Sequence, residues 1–289
     1  MTLNLSGKPG SGAAPGEVTA VEYQSIGLFL AQNCGIVLGE GKQYLLRNRL
    51  LPVLSKFQLS SYTELVAGLQ SNLSSSESLK ASVIEAMTTN ETFWFRDDKQ
   101  FIELRETVLP QLLLQKSSHI KIWSAACSTG QEPYSISITA LEAQRAINKI
   151  KPVQIIATDI SEKVLQEARS AVYSELALSR GIDQANKARY FQNYHEGYKL
   201  IPEVTQPVRF QQFNLLKSFQ VLGRFDIIFC RNVLIYFSDQ VKRDILTRMA
   251  SCLEANGYLF LSSTEAMPVG LKELEPVRDG LTSYFKKVG

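Results

Sequence analysis

The stretch IKIWSAACSTGQEP, residues 120–133, decides the fold, because it predicts a buried strand that runs directly into a helix. Apolar residues dominate the first half, and Pro133 suits the first turn of a helix. The same order recurs where Val153–Asp159 precedes a helix begun by Ser161, and where Phe225–Cys230 precedes a helix begun by Ser238. Strands that alternate with helices indicate an α/β fold, with a mostly parallel sheet covered on both faces.

The chain before this α/β region has a helical pattern. Leucines at helical spacing in residues 45–54 form an apolar stripe, with Lys42, Arg47, Arg49 and Lys56 around it, and no strand signal is present. We predict a disordered Gly- and Pro-rich tail over residues 1–18, a helical domain over 19–89 and an α/β domain over 90–289.

Three local patterns refine the α/β domain. Asp97 followed by Gln100 predicts a helix start of the capping-box type. Residues 189–213 alternate at period two around a turn at 195–197, which predicts a small antiparallel insert. The alternating segment 281–286 has no helix directly before it and predicts an antiparallel edge strand.

Composition excludes several classes of protein. The 289 residues carry a net charge of +3, too mild to indicate nucleic-acid binding. The four cysteines form no CxxC pair, so we expect buried thiols and no metal site. Without an 18-residue apolar run or a signal peptide, we expect no membrane insertion and a cytoplasmic protein. Because no long exposed apolar patch can be inferred, we expect a monomer.

Two acids follow predicted strands, where ligands bind in open α/β sheets. Glu132 stands at a helix start and is suited either to a ligand's ammonium group or to the helix dipole, and position alone leaves both interpretations open. Asp159 ends a strand, where an acid commonly binds ribose hydroxyls. Because Ser161 is the better-placed helix cap, we favour the ligand role for Asp159 over that of a loop aspartate.

Other polar residues near strand ends are open to two interpretations. Asn214 and Asn232 suit an amide or adenine edge, but ordinary turn chemistry is favoured for each taken singly. Arg96, which follows three aromatics, suits a carboxylate, although a surface charge beside the core is the simpler interpretation. Tyr236 belongs either to the core or to the pocket. With only two histidines in the chain, we expect chemistry without a histidine base.

Taken together, these motifs resemble the CheR-type chemotaxis methyltransferases from about residue 19 onward. The resemblance rests on TTNETFWFR (88–96), ACSTGQEPYS (126–135), ATDIS (157–161), the RYF-to-NLL insert (189–216) and FDIIFCRNVLIYF (225–237). It implies a Rossmann-like class I methyltransferase domain that transfers a methyl group from S-adenosylmethionine to glutamate side chains of chemoreceptors.

The resemblance also implies roles for individual residues. The cofactor site would be lined by Asn90, Thr92, Arg96, Glu132, Asp159, Asn214, Leu215, Asn232 and Val233. Glu132 would hold the methionine ammonium and Asp159 the ribose hydroxyls, and Asn214 with Leu215 would border the adenine. Arg96 and Tyr236 would be the catalytic residues, placed where methyl donor and acceptor meet.

The implied partner is the acidic methylation region of a chemoreceptor, which the basic helix in the N-terminal domain would face. The insert looks short around residues 193–197, where family members that dock on a receptor's C-terminal pentapeptide carry a longer loop, so we expect no such tether. The alternatives are a non-catalytic S-adenosylmethionine-binding regulatory module and a small-molecule methyltransferase. Retention of Arg96 and Tyr236 favours the enzyme.

Overall fold

The computed structural model describes residues 16–116, 118–277, 282 and 284–288, and these separate into two compact units. The first unit comprises the residues up to Asn33 together with Val37–Thr88, and the second comprises Cys34–Ile36 and the residues from Thr89 onward. The predicted disordered tail, residues 1–18, lies outside the described residues except for its last three.

The first unit is helical. Its helices are α1 (Ala20–Cys34), α2 (Gln43–Lys56), α3 (Tyr62–Gln70) and α4 (Glu77–Met87). Ser61 caps α3 by accepting a hydrogen bond from the Glu64 amide, and the Glu64 carboxylate accepts one from the Ser60 amide at 2.7 Å. Leucines of the predicted stripe, Leu46, Leu50 and Leu54, are buried, which confirms an all-helical domain with an apolar interior.

The second unit is built around a seven-stranded sheet in the order β6-β2-β1-β7-β8-β10-β9. The strands are β1 (Ile120–Ala125), β2 (Val153–Asp159), β6 (Val208–Gln212), β7 (Phe225–Cys230), β8 (Leu253–Phe260), β9 (Leu274–Val277) and β10 (Tyr284–Lys287). A smaller antiparallel sheet holds β3 (Val172–Tyr173), β5 (Gly197–Leu200) and β4 (Phe191–Tyr194). The predicted α/β class with a mostly parallel sheet and a small antiparallel one is confirmed.

Helices connect and cover these strands. They are α5 (Asp98–Glu103), α6 (Leu109–Gln115), α7 (Gln131–Ala146), α8 (Glu162–Ser170), α9 (Glu175–Leu178), α10 (Gln184–Tyr190), α11 (Pro202–Thr205) and α12 (Asp239–Cys252). A π-helical turn, Leu104–Val108, joins α5 to α6 just before Pro110, which has no amide hydrogen to donate to the preceding turn. None of the helices that the structure describes has the length and apolar character needed to cross a bilayer.

Two predicted helix caps are confirmed and one is wrong. Ser161 and Ser238 accept hydrogen bonds from the amides of Val164 and Val241, as expected for the starts of α8 and α12. Asp97 precedes α5, but it makes no side-chain cap, and its backbone has a left-handed φ of 57°. Its carboxylate is bound elsewhere, by Arg231, and Gln100 is buried and donates to the Leu261 carbonyl.

The strand pairing corrects two further predictions. The segment at 207–213 is not part of the antiparallel insert, because β6 pairs in parallel with β2 as an edge of the main sheet. Only the earlier half of the predicted insert forms a hairpin, β4 with β5, and β3 joins it from outside the predicted range. The segment at 284–287 is antiparallel as predicted, but β9 covers it and forms the edge.

Strands β1, β2 and β7 lie side by side and point the same way. Ala125 is paired with Thr158 of β2 and with Cys230 of β7, so the residues that follow all three strands meet at one edge of the sheet. Strand order reverses on either side of β1, which is the position where open α/β sheets bind ligands.

Candidate active site

The loop between β1 and α7 is held in an unusual backbone shape. Ala126, Ser128 and Gly130 all have positive φ, at 57°, 50° and 94°. A Cβ at Gly130 would lie 2.9 Å from the Cβ of Ala168, so this position requires glycine for space as well as conformation. The loop therefore passes close to the sheet edge in a fixed shape.

Asp159 fixes that loop to the end of β2. Its side chain is buried, and its carboxylate accepts hydrogen bonds from the Ser128 amide at 2.8 Å and the Ser161 amide at 3.0 Å. Its carbonyl accepts from the Phe213 amide at 2.8 Å, which brings the end of β6 to the same place. The structure thus brings Asp159, the β1–α7 loop and the segment before Asn214 together.

Glu132 lies in the first turn of α7 beside two donors. The Ser124 hydroxyl donates to Oε1 at 2.7 Å, and Arg231 Nη1 lies 3.1 Å from Oε2. Burial raises the pKa of Glu132 above its ordinary value, and this effect outweighs the opposing influence of Arg231 and Ser124. A buried carboxylate of this kind gains from a further cationic partner.

Arg231 connects Glu132 to the segment that carries Arg96. Only 1 % of its side chain is exposed, and its Nη2 donates to Asp97 Oδ2 at 2.9 Å and also to the Arg96 carbonyl. Its guanidinium faces the Phe101 ring at 5.5 Å. No role was predicted for Arg231 from the sequence, although a charge directly after the mostly apolar strand Phe225–Cys230 was a usable signal.

The segment 90–96 is held at the same edge. The Ser128 hydroxyl donates to the Asn90 carbonyl at 2.7 Å, and buried Trp94 packs edge-on against Tyr173 and Phe191. The Arg96 guanidinium is half-buried and lies 5.3 Å from the centre of the Phe93 ring. Thr92 is half-buried in the same segment.

Glu265 shapes the loop after β7. Its carboxylate accepts hydrogen bonds from the amides of Asn232 and Leu234, both at 2.8 Å, and from the Ser262 amide at 3.1 Å. These bonds hold Asn232 at a left-handed φ of 58°. Val233 is half-buried against the core, and Tyr236, at the end of the following 3-10 turn, is also half-buried. Glu265 was missed because no local pattern links it to residues some thirty positions earlier.

Asn214 and Leu215 have structural contacts as well as a position near the site. Asn214 Oδ1 accepts from the Leu216 amide at 2.9 Å, which is the ordinary turn chemistry considered from sequence. Leu215 is buried in the core, and its carbonyl accepts from Arg248 at 2.9 Å. Both follow β6 after Phe213, whose amide donates to the Asp159 carbonyl at the end of β2.

The chain matches two family models. Residues 90–282 match the CheR methyltransferase, SAM binding domain, and residues 22–88 match the CheR methyltransferase, all-alpha domain. The chain belongs to the CheR methyltransferase family. The family's domain description confirms S-adenosylmethionine as the cofactor and methyl transfer as the reaction class.

Curated relatives agree with this CheR assignment. The chain is 44% identical to a chemotaxis protein methyltransferase of Vibrio parahaemolyticus over 259 residues, which cover 89% of this chain and 93% of the relative. It is 43% identical to chemotaxis protein methyltransferase 1 of Pseudomonas aeruginosa over 250 residues, covering 85% and 90%. A Borreliella burgdorferi relative is 32% identical over 276 residues, covering 93% and 95%.

Proposed function

We propose that this CheR-family protein transfers a methyl group from S-adenosylmethionine to glutamate carboxylates on the cytoplasmic methylation helices of chemoreceptors. The products are glutamate methyl esters and S-adenosylhomocysteine. The observation that carries the proposal is the contact network of Arg231, which joins Glu132 to Asp97 and to the backbone of Arg96. One buried side chain thereby couples the proposed donor site to the proposed acceptor site.

The acids at the sheet edge fit the cofactor's chemistry. Burial raises the pKa of Glu132, so keeping its carboxylate ionised is costly. The methionine ammonium would offset this cost, and we therefore assign Glu132 to that group. Asp159, buried at the end of β2, is matched to the ribose hydroxyls. Asn214 and Leu215 border the adenine, and Asn90, Thr92, Asn232 and Val233 complete the lining.

The reaction requires no general base. A glutamate side chain has a reference pKa of about 4.3 and is already ionised at neutral pH. When bound, S-adenosylmethionine supplies a methyl group on a cationic sulfonium, so charge is neutralised on the way to the transition state. Strong stabilisation of the free carboxylate would slow such a reaction, and the protein contributes mainly alignment and exclusion of water.

Arg96 and Tyr236 are the residues we assign to alignment. The Arg96 guanidinium, set against Phe93 and fixed through its own carbonyl by Arg231, orients the acceptor carboxylate. Tyr236 follows the loop that Glu265 holds, and we assign its hydroxyl to the same alignment of donor and acceptor. Aromatic residues around Arg96 exclude water.

The basic helix α2 is the proposed receptor-facing surface, with one amendment. Lys42, Arg47 and Lys56 are exposed and suit an acidic helix. Arg49 is half-buried instead, and its Nη1 donates to the carbonyls of Met87 and Thr88 at 2.9 Å each. We therefore assign Arg49 to the C-terminal end of α4 and leave it out of the docking surface.

We also propose that docking does not use a receptor pentapeptide tether. Tyr194 of β4 is paired with Gly197 of β5, so the hairpin turn consists of two residues, 195 and 196. A turn this short offers no extended loop on which a peptide strand could be seated.

The test is transfer of a tritiated methyl group to membranes that contain candidate chemoreceptors, followed by mild alkali. Base-labile label on the receptor supports the carboxyl methyltransferase. Donor binding by calorimetry without label on any receptor supports the non-catalytic regulatory module. Label that appears only on added small carboxylic acids supports the small-molecule enzyme.

A further inference from the structure

A second arginine stands beside Arg96 at the same aromatic ring. The guanidinium of Arg180 lies 5.0 Å from the centre of Phe93, and that of Arg96 lies 5.3 Å from it. Arg180 belongs to the connection between α9 and α10, about ninety residues later in the chain. Two cations from distant segments thus flank one aromatic side chain.

The backbone around Arg180 is fixed to the segment that carries Arg96. The Trp94 amide donates to the Arg180 carbonyl at 3.1 Å. Gly181 has a φ of 106°, and a Cβ there would lie 2.0 Å from the Trp94 carbonyl oxygen. Trp94 is buried, so this close backbone contact fixes the position of the Arg180 backbone from which the side chain extends.

The partner of Arg180 is an exposed carboxylate that can be exchanged. Arg180 Nη2 lies 3.1 Å from Glu91 Oε1, with 50% of the arginine and 68% of the glutamate side chain exposed. A pair this exposed contributes little to stability. Another carboxylate can therefore replace Glu91 at small cost, with no buried charge left unpaired.

We propose that Arg180 is a specificity-determining residue that binds an acidic side chain of the acceptor next to the glutamate being methylated, with Glu91 as the internal carboxylate it displaces. This inference rests on the proposed function. Arg180 takes the neighbouring acid and leaves the reacting carboxylate to Arg96, because tight binding of the nucleophile would slow its attack. Carboxylates on adjacent turns of one helix, with Cβ atoms about 5–6 Å apart, are the pair of acids we assign to the two arginines.

Substitution of Arg180 and substitution of Glu91 should change the KM for receptor in opposite directions. Arg180→Gln removes the cation and raises the KM for receptor about three- to tenfold. Glu91→Gln removes the competing carboxylate and lowers that KM. The double variant behaves like Arg180→Gln, because the Glu91 carboxylate acts through Arg180 and the Glu91 carbonyl, which accepts from Arg96 Nη1 at 3.4 Å, is unchanged. Arg180→Lys keeps the charge and restores part of the loss.

The experiment measures initial rates of base-labile methyl transfer against the concentration of receptor-containing membranes, together with calorimetric affinity for S-adenosylmethionine. Arg189→Gln is the matched control, because Arg189 is 57% exposed and forms a surface pair with Glu142 at 2.9 Å. The expected result is a raised receptor KM for Arg180→Gln alone, with donor affinity unchanged.

A structural role for Arg180 and a lack of methyltransferase activity would give different results in this experiment. If wild type labels receptor and Arg180→Gln matches Arg189→Gln, or if Glu91→Gln raises KM like Arg180→Gln, the inference about Arg180 is overturned and the methyltransferase stands. If Arg180→Gln loses donor affinity, its role is structural and the inference is again overturned. If wild type binds donor but labels no receptor, both proposals are overturned together.

Discussion

Arg231 Nη1 lies 3.1 Å from Glu132 Oε2, although the two residues are 99 positions apart in the chain. Arg231 is almost fully buried, and 13% of the Glu132 side chain remains exposed, so the pair is largely withdrawn from water.

Arg231→Ala is expected to destabilise the fold strongly. It leaves Glu132 and Asp97 without their shared cation in a largely buried site, and breaking a buried ion pair costs about 3–5 kcal/mol. Urea unfolding measures this loss. Arg224→Ala is the control, because Arg224 pairs with Glu254 at the surface and its loss should cost less than about 1 kcal/mol. Equal losses of unfolding free energy in the two variants would contradict the stabilising role of the buried Arg231 ion pairs.

Donor affinity is expected to fall as the pH is lowered through the raised pKa of Glu132. Only the ionised carboxylate would attract the methionine ammonium that we propose it binds. Because burial raises the pKa of Glu132, the loss of affinity should begin at a higher pH than for an ordinary glutamate. Calorimetry across the acidic range, in buffers of different ionisation enthalpy, should show proton release on binding. In Glu132→Gln both the proton release and the pH dependence should be absent, and their persistence would reject the assignment.

In the ligand-free protein, the contribution of Glu132 to folding stability changes with pH in the opposite direction to donor affinity. The folded state holds a proton on Glu132 more tightly than the unfolded chain does. The resulting stability is fully present below the unfolded pKa and is lost as the pH rises through the folded one. The gap in unfolding free energy between wild type and Glu132→Gln should therefore change with pH over this window.

Arg96→Ala is expected to lower turnover far more than donor affinity. The side chain is proposed to orient the acceptor carboxylate, and its carbonyl bond to Arg231 does not depend on the side chain. Single-turnover kinetics and calorimetry separate the two quantities. Comparable losses in both would show that Arg96 holds the donor instead.

Arg47 and Arg49 are expected to behave differently despite their closeness on α2. Arg49→Ala removes two hydrogen bonds to the end of α4 and should cost about 1–3 kcal/mol in unfolding free energy. Arg47 is exposed, so Arg47→Glu should leave the free energy of unfolding unaltered. It should weaken receptor methylation, because the new negative charge repels an acidic receptor surface. If Arg47→Glu methylates receptor as wild type does, α2 is not the docking surface.

The sequence predicted the parts of the fold that depend on local patterns. Strands β1, β2 and β7, and the serine caps of α8 and α12, follow from hydrophobic runs and capping residues that lie next to each other in the chain. The prediction for β6 was wrong because alternation and a nearby proline indicate an extended segment but not the strand with which it pairs. The partner, β2, lies about fifty residues earlier.

The strand-end residues of the candidate site could be predicted from the sequence, and their supporting contacts could not. Asp159 and Glu132 were proposed because they follow strands, where ligands bind, and their ligand roles stay predictions. Arg231, Glu265 and Arg180 contact residues that are distant in the sequence. No spacing rule links such a residue to its partner. The Asp97–Gln100 prediction failed for the same reason, since Arg231 takes the carboxylate that would have capped α5.

Tandem mass spectrometry of chemoreceptor incubated with the protein and S-adenosylmethionine tests the central claim most directly. We expect one added methyl group on each modified glutamate side chain of the receptor's cytoplasmic helices, removed by mild alkali and strongly reduced with Arg96→Ala. Methyl groups on lysine or on other base-stable positions, or none at all despite tight donor binding, would contradict it.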